Sequence, residues 1–168
     1  DMVGMKYRIP NLPIFEKNAR AMGATPVVVA WSEYPFALMQ GVVDGGECSK
    51  DSYRSAGLYE SAKYVADVDY AYPVEQICFS TQFWNSLSEE DQKVISDAAA
   101  QVASHHSERT LDKWEEDKEW LINEGGVTFC DIDRQAFIDA AEPLGKELQD
   151  EGFFTTKDLY DQTRQFNK

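Results

Sequence analysis

The chain has 168 residues, of which 43% are hydrophobic and 12% aromatic, so it is long enough to bury one substantial core. Its 30 acidic residues against 16 Lys and Arg give a formal net charge of −14, a field that repels phosphate backbones, and we expect no nucleic-acid partner. An anionic ligand then needs a local cation, which makes each inward-facing arginine a candidate binding residue.

No stretch reaches the roughly 18 to 20 apolar residues that span a bilayer, and we find no signal peptide in this sequence. Because a secreted protein looks the same after signal removal, this does not argue for the cytoplasm. Cys48, Cys78 and Cys130 have neither a metal-ligand spacing nor an even number for disulfides, which favours isolated or buried thiols.

The first 50 residues predict strands alternating with helices. Pro13 suits the first turn of a helix, Ser32 is a candidate cap for a second helix, and residues 27–31 form the apolar run of a strand buried on both faces. The predicted strands cover residues 4–10 and 27–31, residues 42–47 are predicted as a strand with a tight turn, and the predicted helices cover 13–23 and 32–41.

The alternation continues with a helix over 51–62, strands over 63–72 and 74–80, and a short helix to residue 87 that Thr81 can cap. Strands alternating with helices of this length indicate an α/β domain with a largely parallel sheet.

The most regular predicted element is a helix that begins after Ser88, a good cap followed by three acidic residues, and ends at Gly125. Some 36 residues at about 1.5 Å each give roughly 54 Å, so this helix should extend beyond a small domain. A strand over 127–130, a helix capped by Asp133 to residue 150 and a last helix capped by Thr156 follow.

Candidate binding residues lie at or just after the carboxyl ends of the predicted strands, the edge where open α/β sheets place their ligands. Arg8 can form a charge-assisted pair with a carboxylate, although a surface pair with one of the many acids is the plainer alternative. Trp31 can cover an apolar ligand face or simply pack in the core. The other candidates at this edge are Asn11, Glu47 and Cys48, although an Asn beside prolines is more often a turn former.

The sequence supports an enzyme less well than a binding protein. His105 and His106 are adjacent on a helix, so their rings point in different directions and cannot make an i, i+4 metal pair. A Cys48 nucleophile lacks a neighbouring base, and no GxSxG, Walker, GxGxxG or CxxC motif occurs. We therefore expect no enzyme activity, no cofactor and no metal site, and keep a Cys48-dependent hydrolase as a minor alternative.

Several segments together resemble the extracytoplasmic solute-binding proteins of tripartite (TRAP-type) transporters, the DctP-like family. The matching segments are GMKYRIP at 4–10, GATPV at 23–27, ALMQGVVDG at 37–45 after Ser-Glu, YESAKY at 59–64 and FWNSLS at 83–88. The resemblance covers most of the chain and weakens after about residue 130. It implies an α/β, periplasmic-binding-protein-like second lobe with a largely parallel sheet and one long lobe-spanning helix, with the N-terminal lobe absent.

The resemblance also implies a division of the chain. Residues 1–73 and 114–168 would build the second lobe, and the crossover strand and long helix of 74–113 would reach toward the missing N-terminal lobe. Whether the sequence is a truncation, a proteolytic fragment or half of a split receptor stays open. The exposed lobe face makes a homodimer a further possibility.

By resemblance the protein captures a small organic acid in the periplasm and delivers it to membrane permease subunits, without chemistry. Arg8 would bind the ligand carboxylate, with Asn11, Trp31, Glu47 and Cys48 lining the cleft. Three positions depart from the family pattern: Cys48 and Ser49 replace Asn and Pro, and Pro35 replaces a Tyr. A Cys48–Cys78 disulfide is conceivable in an oxidising compartment, and a sensory or protein-interaction domain of the same fold is the alternative function.

Overall fold

A computed structural model describes residues 2–69, 71 and 76–166 and shows a helix-rich α/β fold with two parallel sheets. The larger sheet has the order β2-β1-β3 and the smaller pairs β4 with β5. The strands are β1 (Lys6–Ile9), β2 (Thr25–Val28), β3 (Gly45–Gly46), β4 (Tyr64–Val65) and β5 (Thr128–Phe129). The predicted fold class, α/β with largely parallel strands, is confirmed.

Seven α-helices lie within the described residues, together with two single 3-10 turns at Trp31–Glu33 and Leu58–Glu60. The helices are α1 (Pro13–Ala21), α2 (Tyr34–Met39), α3 (Lys50–Ser55), α4 (Thr81–Ser86), α5 (Glu89–Asn123), α6 (Arg134–Asp150) and α7 (Leu159–Arg164). No helix in this part of the chain combines the length and apolar character needed to cross a bilayer.

Two predicted helix starts are confirmed in atomic detail. The Ser88 hydroxyl accepts a hydrogen bond from the backbone N–H of Asp91 at 3.1 Å, and a carboxylate oxygen of Asp133 accepts one from the N–H of Ala136 at 3.2 Å. Each side chain satisfies a donor that the first turn of a helix leaves unpaired. Both starts were readable from sequence because a cap is a local interaction.

Three other predicted caps are wrong. Helix α2 begins at Tyr34, after the 3-10 turn that contains Ser32, and has no side-chain cap. Ser80, rather than Thr81, caps α4 by accepting from the N–H of Phe83. Helix α7 begins after Asp158, whose φ of 56° places it in the left-handed region, and not at Thr156.

The strands are shorter than predicted. Strand β2 ends at Val28, and Trp31 lies beyond it in a 3-10 turn. The prediction that this strand is buried on both faces is also wrong, because Val28 is 57% exposed. The segments predicted as strands over 42–47 and 63–72 contain only β3 and β4, and the predicted helix over 51–62 is α3 followed by a 3-10 turn.

The predicted strand over residues 74–80 is not seen in its described part. Residues 74 and 75 lie outside the described residues, as do residues 70 and 72 of the preceding predicted strand. Residues 76–80 have no regular secondary structure.

The core joins the larger sheet region to the C-terminal third of α5. Its buried members include Tyr34 and Val43 beside the sheet, Leu58 from a 3-10 turn, and Trp114 and Leu121 from α5. Leu121 is completely buried, and removing such a side chain from water stabilises a fold by about 1.5 to 3 kcal/mol. Only one end of α5 is therefore anchored in this core.

The rest of α5 is largely solvent-exposed. Its residues from 89 to 113 whose side chains are described contain no buried position, and Val94 and Val102 are 62% and 56% exposed. The predicted 36-residue helix is confirmed as 35 residues, which at about 1.5 Å per residue is roughly 52 Å long. Its N-terminal two-thirds carry exposed apolar side chains, among them Val94 and Val102.

Candidate functional site

The carboxyl ends of β1, β2 and β3 lie at one edge of the larger sheet. Because the strands are parallel, the loops that follow Ile9, Val28 and Gly46 all leave the sheet on this side. Arg8 is opposite Val27 on one neighbour and Gly46 on the other, so its side chain projects from the centre of the sheet.

The Arg8 side chain is buried and held by two hydrogen bonds. The residue is 4% exposed. Its Nε donates to the backbone oxygen of Val29 at 3.0 Å, and its Nη1 donates to Oε1 of Glu47 at 3.1 Å. The guanidinium is thereby fixed by the segments that follow β2 and β3, which meet across β1.

Two aromatic rings lie close to the same guanidinium. The Arg8 Cζ is 5.4 Å from the ring centroid of Trp31 and 5.2 Å from that of Tyr34, and both distances fall within cation–π range. The two rings are 5.9 Å apart and tilted by 53°. Trp31 is 42% exposed, whereas Tyr34 is buried, so the indole forms the outer part of this cluster.

Gly46 makes the close packing possible. A Cβ at this position would lie 2.7 Å from the Tyr34 hydroxyl and 2.8 Å from Cβ of Arg8. Distances below 3.0 Å require something to shift, so the position needs a residue without a side chain. Gly46 therefore permits Arg8 and Tyr34 to share this part of the sheet edge.

Burial controls the ionisation of the site. It raises the pKa of Glu47 above 4.5, with the Arg8 guanidinium working in the opposite direction. Burial also raises the pKa of Tyr34 well above its usual range and that of Tyr53 to about 12, and nearby Cys48 contributes to both. The tyrosines therefore stay neutral at physiological pH.

The structure brings together four of the five residues singled out in the sequence. Trp31 and Glu47 each contact Arg8, and Cys48 is half-buried beside Tyr34 and Tyr53. Asn11 is exposed in the turn after β1, at the same sheet edge, and no hydrogen bond of the described residues joins it to Arg8.

Sequence reasoning missed Tyr34 as a member of the cluster. It lies three positions after Trp31, a spacing that places two side chains on one side of a helical turn. That spacing was the available signal, but it becomes informative only once the strand is known to end before Trp31.

Among the described residues, no group of three or more His, Cys, Asp and Glu side chains is arranged to hold a metal ion. The cysteines are thiols, with Cys78 and Cys130 exposed, so the structure does not contain the Cys48–Cys78 disulfide. The chemistry of the site is that of a buried cation flanked by aromatic rings and one carboxylate, an arrangement that can hold an anion without reacting with it.

Residues 1–151 match the family model described as "Bacterial extracellular solute-binding protein, family 7", DctP. A solute-binding protein of Roseobacter denitrificans is 34% identical over 142 residues, which is 84% of this chain and 43% of that protein. The sialic acid-binding periplasmic protein SiaP of Vibrio cholerae is 29% identical, covering 88% of this chain and 46% of that protein.

Solved structures of TRAP solute-binding proteins are similar to this chain in both fold and sequence. A TRAP periplasmic solute binding protein from Ochrobacterium anthropi with bound L-fuconate is 33% identical with a TM-score of 0.84, covering 96% of this chain and 52% of that one. A second, from Chromohalobacter salexigens with bound D-glucuronate, is 28% identical with a TM-score of 0.85, covering 90% and 50%. The chain spans about half the length of the relatives that it matches.

Proposed function

Because this chain belongs to the DctP family of bacterial extracellular solute-binding proteins, we propose that it forms the carboxylate-binding part of a TRAP-type transport receptor. The family consists of binding proteins rather than enzymes. In this proposal the protein works in the periplasm, captures a small organic acid and hands it to membrane permease subunits. Three of the relatives bind sialic acid, L-fuconate and D-glucuronate, and each of these ligands is an acid.

The geometry of Arg8 is the observation that carries the proposal. A buried guanidinium at the carboxyl edge of a parallel sheet, with its orientation fixed before any ligand arrives, is the local cation that an anion needs in a protein of net charge −14. Because Arg8 is already ordered, binding costs little of its side-chain entropy.

The neighbouring residues complete the proposed site. Trp31, whose ring is partly exposed, would cover an apolar face of the ligand. Glu47 and Cys48 would border the ligand beside Arg8, and Asn11 would add amide donors from the turn after β1. Tyr34 would pack against Arg8 rather than touch the ligand, because Tyr34 is buried.

We propose that a second lobe closes the site. One sheet edge offers one wall of a cleft, whereas small-molecule sites enclose most of the ligand surface. In this proposal residues 1–73 and 114–168 build the lobe seen here, and residues 74–113 reach toward the other lobe, which lies outside this sequence. The exposed apolar side chains of α5, together with Phe79 and Phe83, support that assignment. A second copy of the chain on the same face is the competing arrangement.

Calorimetry tests the binding proposal. The two-lobe receptor containing this chain is titrated with L-fuconate, D-glucuronate, sialic acid and a C4-dicarboxylate, and the 168-residue chain is titrated in parallel. We expect at least one acid to bind the two-lobe protein and to bind the chain alone much more weakly. Arg8→Ala should lower the affinity at least about tenfold, since a charge-assisted hydrogen bond contributes about 1.5 to 3 kcal/mol.

Arg20→Ala is the matched control, because Arg20 is an exposed arginine on α1 that pairs with Glu16. It should leave the affinity unchanged. If no carboxylate binds with both lobes present, or if Arg8→Ala binds as tightly as the wild type, the receptor proposal is wrong and a sensory or protein-interaction domain takes its place. Light scattering on the chain alone distinguishes a homodimer from a monomer.

A further inference from the structure

The ion pair between Arg8 and Glu47 leaves one polar side-chain atom of each residue without a hydrogen bond. Within the described part of the chain, Nη1 and Oε1 make the only hydrogen bond between the two groups, and neither Nη2 of Arg8 nor Oε2 of Glu47 has a hydrogen-bond partner. A carboxylate bound by both of its oxygens would bring Oε2 within reach of a second guanidinium N–H. The contact is therefore monodentate.

Both unused atoms remain accessible. The single buried side-chain polar atom without a partner in the described residues is Oδ1 of Asn18, so Arg8 Nη2 and Glu47 Oε2 each keep some contact with solvent. They belong to side chains that are only 5% and 18% exposed. Polar atoms in such positions normally acquire partners, because an unpaired polar group in a desolvated site costs about 1 to 3 kcal/mol.

The two atoms have opposite hydrogen-bonding character. Nη2 of Arg8 donates, whereas Oε2 of an ionised Glu47 only accepts. A carboxylate without a neighbouring donor accepts from Arg8 Nη2 but places its own negative charge beside Glu47 Oε2. A carboxylate with a hydroxyl or ammonium donor on the adjacent carbon satisfies both at once. The pair is therefore complementary to a ligand that carries an acceptor and a donor side by side.

Resting on the proposed function, we infer that this site selects acids with a hydrogen-bond donor on the carbon next to the carboxylate, such as 2-hydroxy acids, in which the carboxylate takes the Arg8 Nη2 donor and the neighbouring hydroxyl donates to Glu47 Oε2. Glu47 is then the specificity residue of the site, and it discriminates against carboxylates that lack the neighbouring donor. Sites built to bond a ligand hydroxyl reject the analogue without it strongly, because their buried polar atoms are then left unpaired.

The test compares each hydroxy acid with its deoxy analogue on the same protein. The two-lobe receptor is titrated with L-fuconate and 2-deoxy-L-fuconate, and with D-gluconate and 2-deoxy-D-gluconate. We expect the wild type to favour the 2-hydroxy form at least about tenfold. In Glu47→Gln the carbonyl of the amide accepts from Arg8, which turns an N–H toward the ligand. This variant should lower the ratio of the affinities for the hydroxy and deoxy acids toward one.

Controls separate selectivity from general electrostatics. Glu33→Gln removes one negative charge from the exposed 3-10 turn beside the site and should leave the ratio at its wild-type value. Removing the Glu47 charge raises the affinity for every anion, so the ratio and not the absolute affinity is the readout. Near-ultraviolet circular dichroism of both variants checks that the aromatic cluster is intact.

The outcomes are distinguishable. If carboxylates bind in an Arg8-dependent manner but the hydroxy-to-deoxy ratio is one, or is the same in Glu47→Gln, the assignment to Glu47 is overturned while the receptor proposal survives. If no carboxylate of either kind binds the two-lobe protein, the proposed function itself fails. A wild-type preference that is lost in Glu47→Gln and kept in Glu33→Gln supports the inference.

Discussion

Arg54 and Asp117, which are 63 positions apart in the chain, are joined by a hydrogen bond of 2.7 Å between Nη1 and Oδ1. The Arg54 guanidinium also lies 3.9 Å from the ring centroid of Trp120, and Lys113 donates a second hydrogen bond to Asp117. Asp117 is 3% exposed. The four residues attach α5 to α3 where the helix leaves the core.

We expect Asp117→Asn to lower the free energy of unfolding by about 1 to 2 kcal/mol at neutral pH, because a buried carboxylate loses two charge-assisted hydrogen bonds whose donors are partly solvated. Urea unfolding monitored by tryptophan fluorescence measures the change. Asp112→Asn, at an exposed position five residues earlier on the same helix, is the control and should leave stability unchanged.

The effect of Asp117 should depend on pH. Burial raises the pKa of this carboxyl, but the hydrogen bonds from Lys113 and Arg54 outweigh it, and the net pKa lies below 3.8. The unfolded chain therefore binds the proton first as pH falls, and the stabilisation is present above about 3.8 and lost on the way down through the folded-state pKa. Unfolding curves of wild type and Asp117→Asn at several pH values should converge at the acid end.

Glu47 should show the opposite sign. Its folded-state pKa is raised, so between 4.5 and that higher value the folded protein binds more protons than the unfolded chain, and stability falls as pH rises through this window. Glu47→Gln should remove this component of the pH dependence, whereas the exposed Glu33→Gln should keep it. Thermal unfolding from pH 4 to 8 measures the difference, and identical slopes in all three proteins would contradict it.

Gly46→Ala should destabilise the protein by about 1 to 3 kcal/mol and weaken ligand binding, because the added methyl group would overlap Tyr34 and Arg8. Gly45→Ala is a stringent control one residue away. Its Cβ would meet Cε of Met5 at 3.6 Å, an ordinary contact. Equal stability of the two variants would show that the sheet edge yields more easily than the distances indicate.

Trp31→Ala should weaken carboxylate binding by about two- to thirtyfold, the range that corresponds to a cation–π contact of about 0.5 to 2 kcal/mol. The comparison is with Phe36→Ala on α2, which removes a more exposed aromatic ring from the neighbouring element. Calorimetry on the two-lobe receptor measures both. A loss of affinity in both variants would indicate a general change in the region rather than a contact of the indole.

Sequence reasoning worked best where the determining interactions are local. The starts of α5 and α6 were correctly predicted from Ser88 and Asp133, since each cap involves a residue only three positions away. The fold class followed from the alternation of strands and helices. Arg8 was found because it is the one arginine near the carboxyl end of a predicted strand, a relationship that topology preserves.

Predictions from the sequence failed where a feature depends on packing between distant segments. The apolar run of residues 27–31 predicted a strand buried on both faces, yet Val28 is exposed and Trp31 turns away to meet Arg8. The contribution of Tyr34 depends on that turn. The pairing of Arg8 with Glu47 joins residues 39 positions apart, and no periodicity or spacing in the sequence predicts which acid a buried arginine will contact.

Because α5 packs into the core near its C-terminal end, a small rotation there produces a large displacement of its N-terminal end. Its buried residues lie between Trp114 and Leu121, while the roughly 25 residues before them span about 37 Å and include no buried position among the described side chains. A rotation of about 5° at the anchored end moves the far tip by about 3 Å, which is about the length of a hydrogen bond. A displacement too small to disturb the core is thereby magnified at the tip into one large enough to make or break its contacts.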